Sequence, residues 1–350
     1  MTATLQTETS GAPAPAAPPP RGSLLRAEGH RMRSRRFIRV LVLLGLLGFA
    51  GLLAVASTQF AAPSAAGQAE AQAELERVLA ESQVFYEQCL TSTDLPEGTS
   101  PEQFCGPRPT VESMGGPEQF VDERPFVLGE DGPAGAAVVA AATAAFAFLV
   151  GATWIGAEWS TRSIVALLFW EPRRVKVMLA KTTVLALTIA VLAAATQAVW
   201  AVAARVLAET RGTVDAPPGF WRELAAAGGR SVLLAVLVAL LGFALANLIR
   251  NTAAALGAGF VYVVVVENAV RALRPAWQEW LLTTNAAALV LEGGTSFLLF
   301  SEGVTDRNGV FSVTEREVVV GNLQGGLVLT AVTLLVLGLG IVLFSRRDLD

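Results

Sequence analysis

The sequence predicts an all-α integral membrane protein. It would have six transmembrane helices, both termini on the cytoplasmic side, an exoplasmic loop domain after the first span, and a re-entrant or interfacial hairpin between spans five and six. Three observations carry this. Of 350 residues, 53% are hydrophobic and only 16% charged, against about 25% charged in soluble domains. Mean hydropathy is +0.52, and several runs of about 20 apolar residues hold almost no charge, the length a helix needs to cross a bilayer. These runs do not alternate polar and apolar residues as barrel strands must, so the helix is the form that satisfies their backbone in lipid.

Taken in order, residues 1–36 are expected to be a disordered, basic cytoplasmic tail. The Pro-, Ala- and Thr-rich start cannot bury a core. Arg21, Arg26, Arg31, Arg33, Arg35 and Arg36 follow, with Arg39 at the edge of the first apolar run. The first span covers residues 37–60, a signal-anchor pattern. A cleaved signal peptide is the competing reading, because Ala61-Ala62-Pro63-Ser64-Ala65 offers small residues. The apolar run of about 20 residues exceeds the roughly 7 to 15 of a signal h-region.

Residues 61–132 form an exoplasmic helix-loop region. Gln68 to Leu90 reads as an amphipathic helix with Leu75, Val78 and Leu79 on one side, either separate from or continuing the first span. The only cysteines, Cys89 and Cys105, lie at and beyond its end. In an oxidising compartment they would pair and close a loop worth about 3 kcal/mol, the alternative being two free thiols. A metal site is not expected, because the single histidine, His30, would lie across the membrane from both.

The membrane core is expected over residues 133–350, with spans at about 135–157, 175–207, 231–248, 253–270 and 325–344. The third is longer than a bilayer requires and is expected to begin in the cytoplasm. Between spans five and six, Trp277 to Phe300 is apolar but interrupted by Glu279, Glu292 and Gly293-Gly294, so its halves suit a hairpin rather than a span. A short strand is expected at Glu317 to Val320.

Arginine and lysine near span ends set the orientation. With the N-terminus inside, cytoplasmic segments carry 15 of the 26 basic residues although they are the shorter ones, and the 14 acidic residues from Glu70 to Asp131 face outward. A net charge of -4, with no basic cluster interleaved with aromatics, argues against nucleic acid as a partner.

The segment between spans two and three carries both lysines, Lys176 and Lys181, and reads Ile155-Gly156-Ala157-Glu158-Trp159-Ser160-Thr161-Arg162-Ser163, then Leu167-Leu168-Phe169-Trp170-Glu171-Pro172-Arg173-Arg174. Gly156, Glu158, Leu167-Leu168, Pro172, Arg174 and Lys181 stand at the spacings of the signature of the ATP-binding-cassette type 2 (ABC-2) permease family, which this segment resembles. The chain departs from that signature at Arg162-Ser163, where the family usually has Gly-Thr. Arg346-Arg347-Asp348 is similar to the family's usual ending.

The resemblance implies a membrane-spanning permease subunit of an exporter in the bacterial plasma membrane. It also implies a second permease copy or homologue and a separate ATPase subunit that binds ATP and Mg. Residues 156–181 would be the coupling segment docking on that ATPase, with Gly156, Glu158, Trp159, Arg162, Pro172, Arg173, Arg174 and Lys181 as its site residues. Independently, Trp159, Phe169 and Trp170 beside charge can lie at a membrane interface and meet a soluble partner. The plainer alternative is that the basic residues enforce topology and the tryptophans anchor the interface among membrane lipids.

ATP hydrolysis by this chain is not expected. Lys181-Thr182 is the only Lys followed by Ser or Thr, and Val175 and Ala180 occupy the glycine positions of a phosphate-binding loop. Zinc-protease and serine-nucleophile motifs are absent, so a membrane enzyme is disfavoured and no cofactor is expected on this chain. Within the spans, Glu267 is open to a substrate, gating or structural role, and Arg205 is expected to snorkel. Gly242, Ala246, Gly257, Gly259 and Ala193-Ala194-Ala195 offer small faces for close helix packing. A scaffold or sensor with an exoplasmic ligand-binding loop remains the alternative function.

Overall fold

The computed structural model describes residues 23–62, 64–92, 100–120, 124–300, 304–305, 311–312 and 315–346, and six of its helices are long and apolar enough to cross a membrane. A helix α1 (Ser23–Ser34) precedes the first of these, α2 (Arg36–Gln59). This corrects the expectation of a disordered tail through residue 36: α1 buries Glu28 and Met32, and a buried carboxylate demands partners on the bundle. Residues 1–22 lie outside the described residues. Between the two helices Arg35 is extended (φ -68°, ψ 119°), so a single residue turns the chain out of the axis of α1.

None of the apolar window of α2 is buried; it lies on the outside of the bundle, against the helices Leu128–Ser160 and Arg174–Arg211. Phe60 leaves α2 extended, bridges to Arg124 and stacks edge-on against Phe126 at 4.9 Å. The Ser64 hydroxyl then accepts the Gly67 N–H at 3.0 Å and caps α3 (Ala65–Leu90). The amphipathic helix is therefore a separate element. Its Ala71 and Leu75 are buried against the turn Pro117–Phe120. A capping box of Ser100 and Gln103 starts α4 (Pro101–Cys105), and Cys105 is disulfide-bonded to Cys89 with Cα atoms 6.0 Å apart.

Strand β1 (Phe126–Val127) pairs in parallel with β2 (Gly212–Thr213), joining the start of α5 (Leu128–Ser160) to the end of α7 (Arg174–Arg211). Asp131 accepts the Val127 N–H at 2.8 Å and pairs with Arg124 at 2.5 Å, which fixes that corner. Between α5 and α7 lies the short α6 (Ser163–Trp170). The 38 residues of α7 make about 57 Å at 1.5 Å per residue, nearly twice the hydrocarbon thickness. Next comes α8 (Phe220–Ile249).

The fifth span is not one regular α-helix: α9 (Thr252–Val261) passes through a π-turn at Tyr262–Val266 into α10 (Glu267–Leu273). After the turn Pro275–Trp280 come α11 (Leu282–Val290), strands β3 (Thr295–Phe300), β4 (Val304–Thr305), β5 (Phe311–Ser312) and β6 (Glu315–Val320), and α12 (Asn322–Arg346). The interrupted hydropathy thus resolves as a short helix followed by an antiparallel β3–β6 ladder, Thr295 opposite Val320 and Phe300 opposite Glu315. Gly293 and Gly294 (φ 71° and 103°) make the turn between them.

The centre of the bundle is the α5–α8 pair. A Cβ on Gly242 would stand 2.6 Å from the Phe148 carbonyl, and one on Gly151 would strike the carbonyl of Ala239. With no side chain at either place the backbones close, and Trp154, Ile155, Met178, Leu185, Ile189 and Phe243 fill the space around them. Gly259 meets the Phe148 ring, whereas Gly257 faces open space.

Candidate functional site

The connection from α5 to α7 is shaped by three local choices. Thr161 donates its N–H and its hydroxyl to the Ala157 carbonyl at 3.2 and 2.8 Å and ends α5. Arg162 adopts the left-handed conformation (φ 54°, ψ 14°) and starts α6. At the far end Pro172 pushes the preceding Glu171 into an extended conformation (φ -132°, ψ 96°), as a proline does to its predecessor. Ile164 and Leu167 of α6 face inward, while Phe169 and Trp170 are 86% and 88% exposed.

Beneath this connection lies a buried charge node. Lys181, fully buried, donates to Glu158 Oε1 at 2.8 Å and Glu28 Oε2 at 2.7 Å. Arg35 donates to the same Glu158 oxygen at 2.6 Å and to the Trp154 carbonyl at 3.0 Å. Both cations stand over the Trp154 ring, at 4.8 Å for Arg35 and 5.1 Å for Lys181. Arg31 reaches Glu28 Oε1 at 3.2 Å from the surface. An ammonium out of water costs several kcal/mol; two carboxylates and an indole face replace its hydration. The node joins α1, α5, α7 and the α1–α2 junction.

Glu158 and Lys181 are therefore internal and do not present charge to a partner. Gly156 is internal too, since a Cβ there would collide with Thr252 at the start of α9. Trp159 also turns inward: its indole N–H donates to Asn247 Oδ1 at 3.2 Å, and its ring meets Phe344 edge-on at 5.8 Å and Arg250 at 4.6 Å. Asn247 donates onward to the Gly340 carbonyl at 3.1 Å. Arg174, half-buried, donates to the Phe344 carbonyl at 3.3 Å. The N-terminal helix, the α5–α7 connection, the α8–α9 turn and the end of α12 thus meet at one end of the bundle.

Of the charged and aromatic residues and the proline of this connection, those left outward are Arg162, Phe169, Trp170, Pro172, Arg173 and Lys176. Lys176 donates to Glu171 at 3.0 Å, and that ammonium holds the Glu171 carboxyl below the usual carboxylate range. Of the terminal Arg346-Arg347-Asp348, only Arg346 lies inside the described residues.

The other polar candidates stand apart from this end. Glu267 is fully buried; its carboxylate accepts the Thr283 N–H at 3.0 Å, the Thr283 hydroxyl, and Arg271 at 3.1 Å. Arg205 pairs with Glu209 at 2.6 Å on an exposed face, and Gln197 turns away to the Ala136 carbonyl at 3.2 Å. Among the described residues no group of three or more His, Cys, Asp or Glu could hold a metal. Sequence reasoning missed Glu28, Arg35, Trp154, Asn247 and Arg250. One signal was available: Glu28 is the only acid among the arginines of residues 21–39.

No significant match is found among curated proteins or solved structures. A family model does match, described as ABC-2 family transporter protein and covering residues 29–349. The match opens inside α1, one residue past Glu28, and takes in the other residues of the charge node, all six candidate spans and the end of α12, and on it the chain belongs to the ABC-2 transporter family, whose members are membrane-embedded permeases.

Proposed function

We propose that the chain is the permease subunit of an ATP-binding-cassette exporter of the bacterial plasma membrane. In this reading the end bearing α6 is cytoplasmic, and α6 with its flanking loops docks on a separate ATPase subunit, where ATP and Mg bind. Closure of two ATPases on a pair of permease copies drives alternating access to a substrate. The observation that carries this reading is the pairing of an exposed Phe169–Trp170 tip with flanks anchored in the bundle. On the cytoplasmic side of the headgroups, two adjacent aromatics left in water would forgo about 2 kcal/mol or more each of burial energy, which a partner's pocket would return. The buried node below them makes the tip a lever rather than a free loop, so a push on α6 reaches α5, α7 and α1 together.

The test is purification of the tagged full chain from its own membranes in mild detergent, with the eluate assayed for ATP hydrolysis. A nucleotide-binding polypeptide should accompany it. Phe169→Ala with Trp170→Ala should cut the recovered ATPase at least about tenfold, a typical loss for two buried aromatic anchors, while the yield of the chain itself holds. A chain that emerges alone and inert from several detergents sinks the reading and turns attention to the disulfide-closed outer segment as a ligand-binding device.

A further inference from the structure

The arginines around the α1–α2 junction sort into two sets. Arg31, from the surface, and Arg35, from deeper in, pair with Glu28 and Glu158. Arg26 and Arg33, with His30 between them, are exposed on α1, and at 100° per residue they fall within about 60° of arc. Arg36 opens α2, also exposed. Among the described residues the side chains of Arg26, Arg33 and Arg36 hold no ion pair or hydrogen bond, whereas Arg39 reaches back to the Ser34 carbonyl at 3.3 Å. A topology signal requires only the number of charges, so it accounts for neither the stripe nor the withdrawal of two arginines from it.

We propose that Arg26, Arg33 and Arg36 form a binding surface for the phosphates of anionic phospholipids in the leaflet at the N-terminal end of the bundle. The placement follows from α2, an apolar span that begins at Arg36 and so sets the headgroup plane at the junction. Extended Arg35 turns α1 out of the axis of that span. Buried Glu28 on Lys181, and buried Met32, fix the rotation of α1, so the stripe keeps one bearing against the bundle. Leu25 and Phe37, 52% and 59% exposed, flank it with apolar side chains suited to the acyl boundary. Guanidinium groups pair with phosphate oxygens in two-pronged geometry. The inference rests on the membrane placement of α2 and not on the transport reading, so its test uses no ATPase.

The full chain, purified in mild detergent, is examined by native mass spectrometry with added phosphatidylglycerol or phosphatidylcholine. Phosphatidylglycerol should be retained selectively and shed as salt rises. Each cation at such a surface contributes about fivefold. Arg26→Gln, Arg33→Gln and Arg36→Gln together should therefore lower phosphatidylglycerol affinity by about a hundredfold and leave phosphatidylcholine unchanged. The same three sites as lysine should keep most of the binding, and Arg77→Gln on α3 should keep all of it. The lysine variant and the salt series carry the test if the glutamine variant fails to fold. Equal retention of both lipids by the unaltered chain, or undiminished phosphatidylglycerol on the glutamine variant, overturns the proposal. So does a glutamine variant that keeps the lipid and loses a soluble protein partner, because the stripe is then a protein-docking surface.

Discussion

At the scale of single residues, the node around Lys181 makes the firmest prediction. Lys181→Met preserves length but leaves Glu28 and Glu158 buried with fewer cations, a loss of about 3–5 kcal/mol. We expect a lower melting temperature in detergent and faster tryptic cleavage at Arg26, Arg31 and Arg33 as α1 comes loose; unchanged melting and cleavage would count against the node. Replacing Glu28, Glu158 and Lys181 together with leucine, leucine and methionine should recover much of the stability, because no buried acid is then left without Lys181. Arg162 gives the opposite sign. It holds the left-handed conformation at φ 54° where the family signature places glycine, and a side chain there costs about 1 kcal/mol. Arg162→Gly should therefore raise thermal stability slightly, and a clear drop would mean that the side chain holds a contact worth more than the strain. Glu158 and Lys181 each stand out in the sequence as members of the segment signature, and not as a pair. Their burial is not legible there, because it depends on Glu28, 153 residues from Lys181.

At the scale of elements, the fifth span shows why a broken helix is useful. In an α-helix, residues five apart lie about 140° out of line. The π-turn instead bonds the Glu267 N–H to the Tyr262 carbonyl and brings the two residues onto one face. Both then serve α11, whose N-cap, Leu281, has no side-chain acceptor. The Tyr262 hydroxyl accepts the Leu282 N–H at 3.4 Å, and Glu267 accepts that of Thr283. A carboxylate from another helix thus does the work of an N-cap. Glu267→Ala should cost about 2 kcal/mol and speed amide exchange over residues 282–285 by tenfold or more, measured by mass spectrometry with α3 as the internal standard. No local acceleration would mean that α11 is held by packing alone. Glu267 was conspicuous in the sequence as a charge in a span. Its role was not legible, since nothing in a one-dimensional pattern marks a π-turn or pairs residue 267 with residue 283.

At the scale of the whole molecule, the α5–α8 contact decides how the bundle closes. Gly151→Ala should force those helices apart against the Ala239 carbonyl, a cost of about 1–3 kcal/mol. The effect should appear as a lower melting temperature, whereas Gly257→Ala, which faces open space, should be neutral; equal behaviour of the two would refute the close contact. The sequence by itself determined that the chain is helical and membrane-embedded, about where its six spans run, which segment links spans two and three, and that the segment resembles a family signature. Those features are local, because the burial of an apolar helix in lipid depends on its own composition and on a backbone that must satisfy itself. Only the tertiary structure decided the rest: that residues 23–34 form a docked helix, that Gly156, Glu158, Trp159 and Lys181 face inward, and that the connection exposes a Phe169–Trp170 tip flanked by Arg162, Pro172, Arg173 and Lys176. The physical reason is that a charge can be buried only where its partners converge in space, and here they come from three separate stretches of the chain.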